Sequence, residues 1–186
     1  VNSANDDRKT GVFIMTTALV AYASKMGGTQ EIAEAIAQEL RSAGIEVTTC
    51  DAGDVGSLED YDAVIIGSAV YASRWRAEAV DLLARLAGSA ARPRTWIFQS
   101  GPFEKVVAAT EHAVPRRVHR LAGALGAPRV ATFGGRIEPS TATGFIARRM
   151  AAAAGPCGSD YRDFAEIRRW AAGVAAEMAV PLTPAG

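Results

Sequence analysis

The sequence predicts an α/β fold, a parallel sheet of five strands doubly wound with helices on both faces. Three observations carry that expectation. Leu19 to Ala23 is an apolar run that passes through Ser24, Lys25, Met26, Gly27, Gly28 and Thr29 into a helical pattern at Ile32, Ala33, Ile36 and Leu40, so strand, turn and helix form one unit. Short apolar runs then alternate with segments of helical period, which implies parallel pairing with helices as crossovers. The length, 186 residues, is enough for one sizeable core and short for two.

The polar stretch Val1 to Lys9 has no periodic pattern, and Met15-Thr16-Thr17-Ala18 reads as a natural start. Residues 1–14 are therefore expected to be a leader, 15–180 one domain and 181–186 a tail. The apolar run Gly11 to Val20 is too short to cross a bilayer and continues directly into the turn, so it reads as the entry to strand one. Glu46 to Cys50 is a β-branched second strand, and Ala63-Val64-Ile65-Ile66-Gly67 a third, apolar throughout as strands buried on both faces are. Ala77 to Ala87 carries Val80, Leu83, Ala84 and Ala87 at helical spacing with Asp81 and Arg85 opposite. Thr95-Trp96-Ile97-Phe98 is the fourth strand. His112 to Leu125 is the next helix, with Pro115 in its first turn and Val118, Leu121, Ala122 and Leu125 as its stripe. Arg129 to Phe133 is the fifth strand, and Asp160 to Met178 the last helix.

The turn 24–29 has the makings of a phosphate cradle. The unpaired N–H groups of a helix's first turn point at one spot, where the helix dipole favours negative charge. Ser24 and Thr29 add hydroxyls, and Gly27 and Gly28 let the backbone approach a ligand. The turn lacks the Gly-Lys-Ser/Thr ending of a P-loop and the three spaced glycines of the dinucleotide fingerprint, which gives little support to ATP or NAD.

Composition narrows the classes further. The 20 basic and 20 acidic residues balance, so no global field argues for nucleic acid. Cys50 and Cys157 lie outside any metal-ligand or CxxC spacing and are expected to be reduced thiols in a cytoplasmic protein. There is no Gly-x-Ser-x-Gly elbow, and His112 and His119 fall on a predicted helix beside Arg116, Arg117 and Arg120, which reads as a solvated basic face. No catalytic acid–base residue and no metal site is expected.

The sequence resembles the flavodoxin phosphate loop, in which a strand ending in an aromatic leads to Ser/Thr, a small residue, Thr and then Ala; here these are Tyr22, Ser24, Gly27, Thr29 and Ala33. Ala21 departs from the larger apolar residue usual in that strand. The resemblance implies a flavodoxin-like doubly wound sandwich with strand order 2-1-3-4-5 and a site where the loops after strands one, three and four meet. It implies FMN, a deazaflavin not being excluded by residues that suit several tricyclic rings. In this family the loop Ser68 to Trp75 would line the isoalloxazine with Ala69, Val70, Tyr71 and Ala72, while Arg74 and Trp75 shape its rim; plain packing is the other role open to the two aromatics. The loop Gln99-Ser100-Gly101-Pro102-Phe103 resembles the second flavin-contacting loop, with N–H donors at Gly101 and Phe103 and none at Pro102.

The C-terminal third is similar to the menaquinone-dependent protoporphyrinogen oxidase branch of the superfamily. The carrying residues are Gly134-Gly135-Arg136-Ile137-Glu138-Pro139, a basic and apolar segment with Phe145, Ile146, Arg148, Arg149 and Met150, Gly155-Pro156-Cys157-Gly158, and Tyr161-Arg162-Asp163-Phe164. Tyr71-Ala72-Ser73 stands where that branch tends to place Arg-Tyr-Gly, which weakens the case for a porphyrinogen. The expected function is an FMN-dependent oxidoreductase moving electrons between a conjugated substrate and a quinone or similar acceptor. The alternatives are an electron carrier serving protein partners and a deazaflavin-binding protein. Strongly acidic composition is typical of the carriers, and this chain lacks it. Peripheral membrane contact through Thr143 to Ala154 is the less favoured reading of that segment, against a helix covering one sheet edge. A homodimer is left open.

Overall fold

The computed structural model describes residues 16–71, 73–101, 114–137 and 159–180. Its centre is β1 (Thr17–Ala23), apolar after Thr17 apart from the Tyr22 hydroxyl and paired in parallel on both sides. One neighbour is β2 (Glu46–Asp51), in register from Thr17 opposite Glu46 to Tyr22 opposite Asp51. The other is β3 (Ala63–Tyr71), from Ala18 opposite Ala63 to Ala23 opposite Ser68. A two-residue strand, β4 (Arg74–Trp75), folds back antiparallel on the end of β3. Then β5 (Arg94–Gly101) pairs with β3 and β6 (Val130–Gly134) with β5, both in parallel. The parallel path runs β2-β1-β3-β5-β6, which is the expected order of five, with the short β4 making a sixth strand off that path. A separate antiparallel pair joins β7 (Arg136–Ile137) to β8 (Ser159–Asp160).

Period-two alternation sorts the strand side chains between two cores. Leu19, Ala21, Val64 and Ile66 pack against α2 (Ala77–Gly88) and α3 (Arg116–Ala124), where Leu82, Leu83, Leu86, Val118 and Ala122 complete the layer. Val20, Ile65, Phe98 and Phe133 face α1 (Gly28–Ser42) and α4 (Phe164–Met178), meeting Ile32, Ile36, Leu40, Ile167, Ala171 and Val174. Trp170 adds edge-on ring contacts to Phe98 and Phe133 at 6.2 and 5.7 Å between centroids. Connections lead from β1 outward to β2 and then back across to β3, so a crevice opens at their carboxyl ends, where such sheets bind ligands.

The boundaries correct several expectations. β3 runs on to Tyr71 and β5 to Gly101, so Ser68 to Tyr71 and Gln99 to Gly101 are strand, not loop. The polar Ser68, Gln99 and Ser100 hid this, because an apolar run stops at them while the parallel register continues through Ser68 opposite Gln99 and Ala69 opposite Ser100. α3 begins at Arg116 with Pro115 as the residue before it, so the described helix holds no proline in its first turn. α4 begins only at Phe164: Asp160 belongs to β8, and the Asp163 carboxylate accepts from the Ala165 and Glu166 amides at 3.0 and 3.2 Å, a standard N-cap.

Candidate functional site

At the carboxyl edge the turn 24–29 carries the chain from β1 to α1. Gly27 is its pivot, at φ 75°, where a side chain would be strained. It is also the cap residue of α1 and brings no side chain to the first-turn amides, in contrast to Asp163 at α4. The amides of Gly28, Thr29 and Gln30 have no acceptor within the helix, because the first intrahelical bond at this end runs from Glu31 N to Gly27 O at 3.0 Å. Thr29 is 2% exposed, and its hydroxyl shares a buried 2.8 Å hydrogen bond with Ser100 Oγ at the end of β5. Two expected site residues 71 positions apart are thus in direct contact.

The hairpin of β3 and β4 forms the second wall. Val70 and Ala69 are buried, Tyr71 is half-buried, and Arg74 is exposed. Burial, the largest influence, pushes the Tyr71 phenol above its usual range, against smaller lowering influences of the Arg76 charge and the Lys25 backbone N–H. Trp75 is 7% exposed, packs in the core beside α2, and donates from its indole N–H to Gln99 Oε1 at 3.0 Å. Packing accounts for its ring. Ser68 Oγ accepts from the Arg76 amide at 3.0 Å and donates to Ala69 O at 3.0 Å, which closes the hairpin. Ala72, Pro102 and Phe103 lie outside the described residues, as do His112, Cys157 and the whole of 138–158. His119 is exposed. Burial pushes the Cys50 thiol up, which keeps it protonated at neutral pH.

Sequence reasoning missed a layer of groups that frames the turn. Gly134 and Gly135 pack where no side chain fits: a Cβ at Gly134 would stand 2.0 Å from the Tyr161 carbonyl oxygen, and one at Gly135 would stand 2.8 Å from that of Gly101. The Gly135 amide donates to Gly101 O at 2.5 Å, and Tyr161 N to Gly135 O at 3.0 Å. Next to them Glu31, in the first turn of α1, binds two arginines at once, Arg136 Nη2 at 3.0 Å and Arg162 Nη1 at 2.8 Å. Arg162 is 4% exposed at its side chain and holds Asp160 at 2.6 Å, with its guanidinium 5.0 Å from the Phe164 ring centre. Its hydrogen bond to Asp160 lowers that carboxyl below the usual range and raises the guanidinium. The sequence signal was the Gly-Gly-Arg run and the charged Asp160-Tyr161-Arg162-Asp163 run, but nothing in their spacing brings them to α1.

Among the described residues no helix is long and apolar enough to cross a membrane. A family model for the flavodoxin domain matches residues 19–150. The fold is similar to that of a flavodoxin from the domain Archaea, with TM-score 0.57 and 15% identity over 89% of this chain and 100% of the other. Oxidised flavodoxin 1 from Bacillus cereus gives 0.56 at 15% identity over 89% and 100%. Rubredoxin oxygen:oxidoreductase from Desulfovibrio gigas gives 0.56 at 15% identity over 88% of this chain but 37% of that longer chain.

Proposed function

Because the chain belongs to the flavodoxin-domain family, we propose that it binds FMN at the carboxyl edge of its sheet and acts as an FMN-dependent oxidoreductase. The observation that carries this is the start of α1, where Gly27 leaves the first-turn amides without a side-chain acceptor and buried Thr29 sets a hydroxyl among them. Donors of that kind fit a phosphate ester. Ser24, Lys25, Met26, Gly27, Gly28 and Thr29 would hold the phosphate, while Ala69, Val70, Tyr71 and Ala72 on one side and Ser100, Gly101, Pro102 and Phe103 on the other would flank the ring. Arg74 would stand at its rim, and Trp75 would support the hairpin from beneath. When bound, the flavin supplies electron or hydride transfer. The chain's own part is to orient the ring, to exclude water, and to aim the amides of β5's end at its polar edge.

The finer reading is electron transfer between a conjugated substrate and a quinone, as in the protoporphyrinogen oxidase-like branch. Its support is that the two motifs of that resemblance, Gly134-Gly135-Arg136 and Tyr161-Arg162-Asp163-Phe164, meet beside the turn 24–29. A carrier serving protein partners is the second reading, favoured by the flavodoxins that share the fold. Balanced charge leans towards the enzyme.

The test is a parallel titration of the apo-protein with FMN, riboflavin and a deazaflavin, followed by quinone and porphyrinogen turnover. The expected result is FMN bound well ahead of riboflavin. Equal binding of the two would remove the phosphate cradle, and preference for the deazaflavin would change the cofactor. Bound FMN without quinone turnover would select the carrier.

A further inference from the structure

Arg136 lies along the glycine turn. Its Nη2 is 3.8 Å from where a Gly27 side chain would begin, and its Cβ and backbone N are both 3.5 Å from the corresponding point on Gly28. Its position is set by three elements: β7 pairs it opposite Asp160, Glu31 Oε1 takes its Nη2 at 3.0 Å, and Glu31's other oxygen is fixed by Arg162 at 2.8 Å. The Arg162 side chain is 4% exposed and held by Asp160, so the ion pairs Asp160–Arg162–Glu31 lead to the Arg136 guanidinium beside the turn. Lys25, the cation within the turn, is exposed to solvent.

We propose that Arg136 is a phosphate-recognition residue for an anion in the turn 24–29, and that Glu31, itself held by Arg162, is the carboxylate that Arg136 leaves when the anion binds. The proposal rests on the cradle reading and adds to it the source of the compensating charge. A phosphate ester in the turn brings up to two negative charges within Coulomb reach of a guanidinium whose Nη2 stands 3.8 Å from where a Gly27 side chain would begin. Glu31, in the same helical turn, would by itself repel that anion. Two arginines neutralise it, and a shift of Arg136 Nη2 from Glu31 to the phosphate exchanges one charge-assisted hydrogen bond for another while Arg162 retains Glu31. The ligand class so recognised is a flavin carrying a terminal phosphate monoester, in preference to one without it.

The experiment measures dissociation constants of FMN and riboflavin for the wild-type protein, Arg136→Met, Arg136→Lys and Glu31→Gln, each checked for folding by circular dichroism and thermal melting. Arg136→Met is expected to weaken FMN by about ten- to a hundredfold and riboflavin by about threefold or less, with Arg136→Lys recovering part of the difference. Salt should weaken FMN binding to the wild type more steeply than to Arg136→Met. Glu31→Gln removes a repelling charge and is expected to bind FMN as tightly as the wild type or more tightly, whereas a purely structural tie would make that variant bind both ligands less well. Equal losses of FMN and riboflavin in Arg136→Met, under a wild type that prefers FMN, would overturn this role and leave the cradle standing. A wild type without that preference would overturn the cradle and Arg136's role together. If Arg136→Met does not fold, Arg136→Lys and Glu31→Gln decide alone: weakened FMN binding in Glu31→Gln refutes the role.

Discussion

The two edges of the sheet are built on opposite rules. At the carboxyl edge Thr29, Ser68, Gln99 and Ser100 are buried, the four polar residues so placed among the described residues, and they are bonded to the protein's own hydroxyl, indole and carbonyl groups. At the amino edge the polar ties are exposed or half-buried. Thr17 N donates to Asp62 Oδ2 at 2.8 Å, and Arg94 Nη1 reaches the carbonyls of Met178 and Val180 at 3.3 and 3.1 Å, closing the end of α4. A groove of about 800 Å³ lies there, lined by Tyr61, Asp62, Arg94 and Met178 among others, yet no buried polar side chain among the described residues faces it. Burying a polar group costs free energy unless it is paired, so a fold that gathers such groups at one edge has preorganised that edge.

The largest effect expected from breaking this contrast comes from the apolar side. Leu86 is fully buried near the amino-edge end of α2, and Leu86→Ala should cost about 2–5 kcal/mol in denaturant unfolding. The folded fraction should keep its FMN affinity; a matching loss of affinity would erase the division between the edges. Thr29→Val should cost less, about 1–3 kcal/mol, since it strips the buried Ser100 hydroxyl of its partner. Unlike the leucine variant it should weaken FMN more than riboflavin, which a ligand titration reads directly.

The smallest effect is in acid. Arg162 holds the Asp160 carboxyl below its usual range, so the native pKa lies under the unfolded value of about 3.9. The stabilisation is therefore complete above the unfolded value and disappears as the pH falls through the native one. Thermal melts from pH 5 downward should show Asp160→Asn losing less stability on acidification than the wild type. Parallel curves would mean that the arginine is held by Glu31 alone.

The legible part of the fold was what periodicity carries. Val64 to Ile66 read as a strand buried on both faces, and Ile32, Ile36 and Leu40 as one helix face, because burial selects residue type directly at those positions. Gly27 was legible as a turn residue, and its positive φ bears that out. The strand ends at Tyr71 and Gly101 were not legible, since Ser68, Gln99 and Ser100 owe their burial to partners in other elements. The last helix was entered four residues early for a similar reason: Asp160 and Asp163 are both plausible caps in sequence, and only the pairing of β8 assigns them different tasks.

By itself, then, the sequence determined the alternation of strand and helix, the apolar faces and the glycine turn, because these follow from local sterics and from the transfer of side chains out of water. Tertiary structure alone decided that Thr29 meets Ser100 and that Glu31, Arg136 and Arg162 converge on the turn. Each of those contacts joins residues far apart along the chain, and a hydrogen bond or ion pair between them leaves no periodic trace for a sequence to display.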